Sequence, residues 1–365
     1  QANAVLEAQL YRIAQMEIQK ILDELKEKRA EAERIEGILK SKSKLWGVVK
    51  SELSALAEQF GDRRRSRMAS DDDVLEFDEE AYIVRENTNV VVTRDGWIKR
   101  VGRLASVEGT RVREGDSVLA VIPASTLDTV AFFADDGVAY TIRANEIPAS
   151  SGYGEPITKF FKLGDGVRLV AAVTADPRFV PESVKGAKGD PPGPYLISAA
   201  KSGLVSRQPF APYRIESTKV GRRFARLNDG DRIVMTALID DETSVFLAAA
   251  SGHVIHFPIS EIPVLSGAGK GVVGIKLDDD DACLGGALIG NRHDACVVET
   301  SGGRIHELRR GAYAMTHRGG KGFEVVKRSN LIRVVPSTIE LVNWEKIEAD
   351  EQSVKSLRQR KSLFE

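Results

Sequence analysis

The stretch Thr316-His317-Arg318-Gly319-Gly320-Lys321-Gly322-Phe323 sets three glycines around one lysine, with an arginine beside them. Glycine takes positive φ without a steric cost and has no side chain to hold a ligand away. Such a loop can therefore bring its backbone close to a polyanion while two cations reach the phosphates. The same composition also suits a plain basic turn. Repetition distinguishes the two. Gly267-Ala268-Gly269-Lys270-Gly271 repeats the G-x-G-K-G core, Gly152-Tyr153-Gly154-Glu155-Pro156 keeps the spacing without the lysine, and Val220-Gly221-Arg222-Arg223 is a shorter basic version. The candidate phosphate-binding set is Lys99, Arg100, Arg103, Arg207, Arg222, Arg223, Lys270, Arg318 and Lys321, with Gly319, Gly320 and Gly322 as close-approach backbone. A basic rim of this kind neutralises phosphates without reading bases. The competing reading of the same cations is a solvated surface.

No catalytic constellation accompanies this set. Gly269-Lys270-Gly271-Val272-Val273-Gly274 matches G-x-G-x-x-G but lies between strand-like runs and opens no helix, which excludes a dinucleotide site. Neither Gly-Lys pair has the upstream glycine of a phosphate-binding P-loop, and no G-x-S-x-G occurs. Cys283 and Cys296 form neither a C-x-x-C pair nor a disulfide framework, and His253 and His256 would point to opposite faces of a strand. The acidic run Asp278 to Asp281 lacks the alternating ligand spacing of a calcium loop. No metal and no catalytic residue is assigned.

The elements that must carry the loops repeat with them. Gly96, Gly137, Gly203, Gly252 and Gly303 each sit in a turn between β-branched runs, at spacings of 41, 66, 49 and 51 residues by subtraction. The longest spacing holds a Pro/Gly insert, residues 176–194. The runs are Val90 to Thr93, Val130 to Phe133, Tyr195 to Ile197, Val245 to Leu247 and Cys296 to Val298. Hairpins recurring at such a period indicate β-blades around an axis. A final strand, Ile339 to Trp344, is expected to complete the last blade or close the ring. Ahead of the repeats, Leu6, Leu10, Ile13, Ile18, Ile21, Leu22 and Leu25 fall at helical spacing, and the pattern resumes after Ser41 to Ser43 and runs to Phe60. The expected organisation is a helical coiled-coil segment over 1–68, an acidic linker over 69–81, an all-β unit of about five or six blades over 82–345, and a charged disordered tail over 346–365. With 365 residues, 42% of them hydrophobic and a net charge of -1, the chain reads as soluble and multi-domain, and any affinity for polyanions must come from local clustering. It holds no run long and apolar enough for a membrane helix. Its start on Gln in mid-pattern suggests a piece of a longer protein.

Gln1-Ala2-Asn3-Ala4-Val5-Leu6 through Tyr11-Arg12-Ile13, the long helix, and Phe60-Gly61-Asp62-Arg63-Arg64 resemble the exit gate and descending coiled coil of the A subunit of bacterial type IIA topoisomerases. The repeats that follow resemble the DNA-wrapping β-pinwheel of those proteins, and Arg318 to Gly322 is similar to the core of the gyrase box Q-R-R-G-G-K-G. In gyrases that box lies in the first blade. Here Val101 to Thr110 contains none, and the late copy has Thr316-His317 in place of Gln-Arg, which leans towards topoisomerase IV. The resemblance implies an enzyme that passes one duplex through another, with magnesium at the cleavage site, the attacking tyrosine upstream of Gln1, and ATP on a partner B subunit. The implied partners are duplex DNA, the B subunit, and a second copy of the A chain in a homodimer. The resemblance further implies a bacterial cytoplasmic location and a fragment inactive alone. The alternative is a non-enzymatic adaptor that joins a coiled coil to a protein-binding propeller.

Overall fold

The computed structural model describes residues 1–61, 83–183, 185–186 and 189–351. The expected linker at 69–81, residues 62–68 and the tail beyond 351 lie outside the described residues. The chain divides into two compact units, Gln1–Phe77 and Asp78–Glu365.

In the first unit, α1 (Ala2–Leu39) and α2 (Lys42–Phe60) are separated at Ser41. Ser41 has extended backbone and its Oγ accepts from the Lys44 N–H at 3.5 Å, so it breaks one helix and caps the next. Among the described residues of this unit the apolar stripe finds no cover: α2 has no buried residue, and Leu22, Leu53 and Phe60 are exposed.

The second unit is β-structure built on one repeated plan. Each repeat opens with a hairpin: β1 (Asn87–Thr93) with β2 (Trp97–Val101), β4 (Thr129–Ala134) with β5 (Val138–Arg143), β8 (Tyr195–Ala200) with β9 (Leu204–Pro209), β12 (Ser244–Ala249) with β13 (His253–Pro258), and β16 (Ala295–Thr300) with β17 (Ile305–Arg309). Gly96, Gly137, Gly203, Gly252 and Gly303 supply the positive φ at the turns, as their spacing predicts. A third strand then returns antiparallel beside the first: β3 (Val118–Ser125), β7 (Leu169–Thr174), β11 (Ile233–Leu238), β15 (Cys283–Ile289) and β19 (Leu331–Val335). In every sheet the register between this strand and its neighbour shifts at one end, a bulge-like irregularity of the kind that adds local twist.

Between the second and third strands the chain makes an excursion to the preceding sheet. Two-residue strands β6 (Glu155–Pro156), β10 (Arg222–Arg223), β14 (Val272–Val273) and β18 (Phe323–Glu324) pair with β2, β5, β9 and β13. The sheets are therefore ordered β3-β1-β2-β6, β7-β4-β5-β10, β11-β8-β9-β14, β15-β12-β13-β18 and β19-β16-β17 among the described residues. Covalent continuity interlocks each sheet with the next. The fifth sheet receives no such strand, and the consequence shows in burial. Ile98, Ala139, Val205 and Val254, each facing a donated strand, are at most 1% exposed, whereas Ile305 at the equivalent place is 64% exposed.

The three central sheets pack on neighbours through both faces, and the first and fifth through one. Val90 and Ile98 of the first sheet share a cluster with Phe132 and Tyr140 of the second, whose other face places Phe133 against Leu196, Phe210 and Phe224. Two-sided burial explains the unbroken apolar runs of the central strands, where one-sided sheets would alternate. The returning strands β3, β7, β11, β15 and β19 are neighbours in turn and line a common cavity of about 520 Å³. Small residues there, including Ala120, Ala171, Gly285 and Ala287, let five strand backbones approach one axis.

Two expectations at the C-terminal end fail. No strand forms over Ile339 to Trp344; β19 lies earlier, and residues 344–351 are helical. Nor is 346–351 a disordered tail. Trp344 is buried against Phe179, ring centroids 5.6 Å apart, and Glu348 and Glu351 reach Asn87 and Arg178 at 3.0 and 2.9 Å. A run of charges reads as solvated in sequence because its partners are some 170 to 260 residues away.

Candidate nucleic-acid interface

The donor loops are positioned by a glycine that nothing else could replace. Gly154, Gly221, Gly271 and Gly322 all have positive φ, and a Cβ on each would collide with Ile98 O, Ala139 O, Val205 O and Val254 O of the preceding sheet. The close approach made by these glycines is thus to a neighbouring strand. Gly319 also has positive φ, while Gly320 does not and meets nothing nearer than Ile255 Cδ1 at 3.7 Å. The glycine-rich composition reports the interlock between sheets.

The cations of the sequence set divide by their partners. Lys99 is a correction: its side chain points into the first sheet, and the residue is 3% exposed. Its ammonium donates to Arg111 O at 2.8 Å and Gly152 O at 2.7 Å, and burial, then the charge of Arg111, hold it below the usual lysine range. Its place on β2 next to the donor loop, undetectable from spacing, makes it an internal tie. Arg100 is half-buried and donates to Ile147 O at 3.2 Å. Arg207 is half-buried over the Tyr195 ring, 5.4 Å from its centroid. Arg103 is exposed but ion-paired with Glu345 and Glu348 of the C-terminal helical segment.

In the last two donor loops the lysine before the positive-φ glycine reaches back to the turn of the preceding repeat. Lys270 Nζ donates to Asn228 Oδ1 and Lys321 Nζ to Asp278 Oδ2, each at 2.7 Å. The latter pair lowers the Asp278 carboxyl, first through the hydrogen bond and second through the lysine charge. Arg318 is used more heavily still: its N–H donates to Glu261 Oε2, its Nε to Glu261 O at 3.0 Å and its Nη1 to Val273 O at 3.1 Å. His317 Nδ1 lies 2.7 Å from the other Glu261 oxygen. Arg222 and Arg223 form β10 itself; the Arg222 guanidinium donates to Pro212 O, while the exposed Arg223 side chain makes no hydrogen bond or ion pair among the described residues.

The structure also brings forward cations outside that set. Lys162, Arg226 and Lys276 follow the donated strands, are exposed, and donate their backbone N–H groups to Lys219 O, Gly269 O and Gly320 O at 2.7, 3.0 and 2.9 Å. Each accepting carbonyl lies two residues before a positive-φ glycine. The signal was present as Lys162-Leu163-Gly164-Asp165, Arg226-Leu227-Asn228-Asp229 and Lys276-Leu277-Asp278-Asp279, a repeated basic-Leu-x-Asp pattern. Spatially, these cations mark the junctions between sheets.

Among the described residues no His/Cys/Asp/Glu cluster could hold a metal, and no helix is long and apolar enough to cross a membrane. Both cysteines are buried, and burial pushes the thiols up to about 11 for Cys283 and about 12 for Cys296.

A family model described as "DNA gyrase C-terminal domain, beta-propeller" matches residues 128–176 and 243–289, in each case a hairpin with its returning strand. The gyrase A protein of Mycolicibacterium smegmatis is 29% identical over 351 residues, covering 91% of this chain and 40% of that protein. Its counterpart in Dehalogenimonas lykanthroporepellens is likewise 29% identical, over 91% of this chain and 41% of its own length. The chain thus spans about two fifths of these relatives. In fold it is similar to the crystal structure of the C-terminal domain of DNA topoisomerase IV, with TM-score 0.60, 19% identity, and 70% of this chain and 79% of that one covered. The E. coli ParC C-terminal domain gives TM-score 0.54 and 21% identity, with 68% and 98% covered. Repeat plan, glycine interlock and sequence likeness agree: over nearly all of its length the chain is similar to the C-terminal part of DNA gyrase A subunits, the A subunits of type IIA topoisomerases.

Proposed function

We propose that the β unit is a duplex-binding disc whose five sheets act as blades, and that α1 and α2 belong to the coiled-coil arm of a dimer gate. The observation that carries the reading is the recurrence of exposed cations at the sheet junctions, Lys162, Arg226 and Lys276, in a chain related to gyrase subunits. No recognition helix accompanies them among the described residues of the β unit, so the disc grips phosphates with little base preference. The parent enzyme would pass one duplex through a transient break in another, with magnesium at the cleavage site and ATP bound by a B subunit. This part supplies neither and is inactive alone, and a bacterial cytoplasmic location follows from that role.

Neutralising about five phosphates gives a log-log salt slope near -4 to -5 for binding of a short duplex, measured by fluorescence anisotropy. A slope near zero, or no binding at low salt, favours the protein-binding adaptor instead. Within the family we favour topoisomerase IV-like action, because Val101 to Thr110 lacks a first-blade box and the late R-G-G-K-G is engaged in interlocking sheets. The full-length parent chain with its B partner is then expected to relax and decatenate DNA under ATP. Robust negative supercoiling of relaxed plasmid on a chloroquine gel would make it a gyrase.

A further inference from the structure

We propose that DNA is anchored at one place on the disc, the outer edge of the second sheet, where Lys219, Arg223 and Arg226 of the third repeat meet Lys162 of the second. This rests on the duplex-binding reading above and names its principal contact. All four side chains are exposed and make no hydrogen bond or ion pair among the described residues. Lys162, Lys219 and Arg226 are therefore available to phosphate without first releasing a protein partner, and Arg223 has only the charge of the nearby Asp136 carboxyl to compete with. At the other donor loops the cations around the close-approach glycine must make that exchange: Lys270 must leave Asn228, Lys321 must leave Asp278, and Arg318 must leave Glu261 and Val273, which leaves Lys276 in the fourth repeat and Lys327 with Arg328 in the fifth as the exposed cations without such a partner.

The four cations are also held in place by backbone. The Lys162 N–H donates to Lys219 O at 2.7 Å, and the Gly221 N–H to Thr218 O at 2.9 Å turns the chain into β10. Arg223 is paired with Val138 in the ladder, and the Phe224 N–H donates to Gly137 O at 2.8 Å. The Arg226 N–H closes the array on Gly269 O at 3.0 Å. Beneath it, Phe224 is fully buried against Phe133, ring centroids 5.1 Å apart. Cations preset in this way lose only side-chain freedom on binding, which favours a site over a diffuse surface.

Composition points the same way. Lys219 to Arg226 carries four basic residues and no acidic one. The equivalent segment of the second repeat has Glu155 ion-paired with Lys159 at 3.1 Å, and that of the fifth has Glu324 on its donated strand. Basic character is thus concentrated on one sheet edge, so a duplex would be fastened there and touch the remaining junctions more weakly.

The test uses the full chain with a short duplex and anisotropy titrations at several salt concentrations. The variant Lys162→Gln, Lys219→Gln, Arg223→Gln, Arg226→Gln should make the log-log slope shallower by about three to four. It should also weaken binding on the order of a hundredfold or more near 0.1 M salt, with an unchanged melting temperature. The variant Lys270→Gln, Lys321→Gln should move the slope by less than one. If the fourfold variant melts early, Lys219→Gln with Arg223→Gln should still give about half the slope change. An unchanged slope in the anchor variants, or an equal change in the Lys270/Lys321 variant, overturns the anchor while leaving DNA binding intact. A wild-type slope near zero removes both.

Discussion

Gly322→Val should destabilise the β unit by about 3 kcal/mol or more, while Gly320→Val, two residues earlier in the same loop, should cost under ~1 kcal/mol. The valine at 322 meets two obstacles. Its Cβ would run into Val254 O and come within 2.8 Å of Ile255 Cα, both in the preceding strand, and φ is +78°. A β-branched residue is a severe outlier at positive φ, so neither rotation nor a rotamer change relieves the clash. The remaining outlet is to withdraw Phe323–Glu324 from β13, which exposes Val254 and breaks the interlock between the fourth and fifth repeats. At Gly320 the nearest atom is the end of a flexible isoleucine, and φ is not positive. Urea unfolding of both variants by far-UV circular dichroism checks this. Equal losses would mean that the loop's glycines do not act through the close approach.

The second large effect is expected at Arg178. Asp176 is fully buried and accepts from the Ser125 N–H and the Arg178 N–H, both at 3.0 Å, and from the Arg178 guanidinium at 2.6 Å. The same guanidinium donates to Asn87 Oδ1 at 2.8 Å and Glu351 Oε1 at 2.9 Å, and lies 5.5 Å from the Trp344 ring centroid. Arg178→Ala leaves a buried carboxylate without its cation and unfastens the C-terminal helical segment, a loss of about 3–5 kcal/mol at neutral pH. The acid response gives an independent check. Burial by itself would raise the Asp176 carboxyl, but the hydrogen bonds and charge of Arg178 outweigh it and leave the group below the usual carboxylate range. A depressed carboxylate contributes stability above its unfolded pKa and loses it as pH falls through the folded value. In the variant the same carboxyl, buried and unpaired, is pushed up and protonates earlier. The gap between wild type and variant should therefore narrow steadily from pH 6 towards pH 3. A gap that is constant with pH would show that the loss is packing alone.

Much of this architecture was legible because it is local. A tight turn with positive φ admits glycine almost alone, so Gly96, Gly137, Gly203, Gly252 and Gly303 announced the hairpins. Strands buried on both faces needed the unbroken apolar runs that marked their centres. The interruption of the apolar pattern at Ser41 to Ser43 marked the helix break.

What the residues could not state by themselves was the destination of each segment and the partner of each charge. Two-residue strands such as Arg222–Arg223 are too short to carry a period, and only the fold reveals that they complete the sheet of the repeat before. The glycine that permits this looked like a phosphate cradle because a strand carbonyl and a phosphate oxygen both demand the absence of a side chain. Lys99 and Arg223 are alike in type, but one is on β2 facing the interior carbonyls of Arg111 and Gly152, and the other is on an outer edge facing water. Electrostatic energy depends on the distance and dielectric between groups, which sequence separation does not encode. Tertiary structure alone therefore decided that Lys99, Arg318 and Lys321 hold sheets together, and that Lys162, Lys219, Arg223 and Arg226 stand at one edge without a hydrogen bond or ion pair among the described residues.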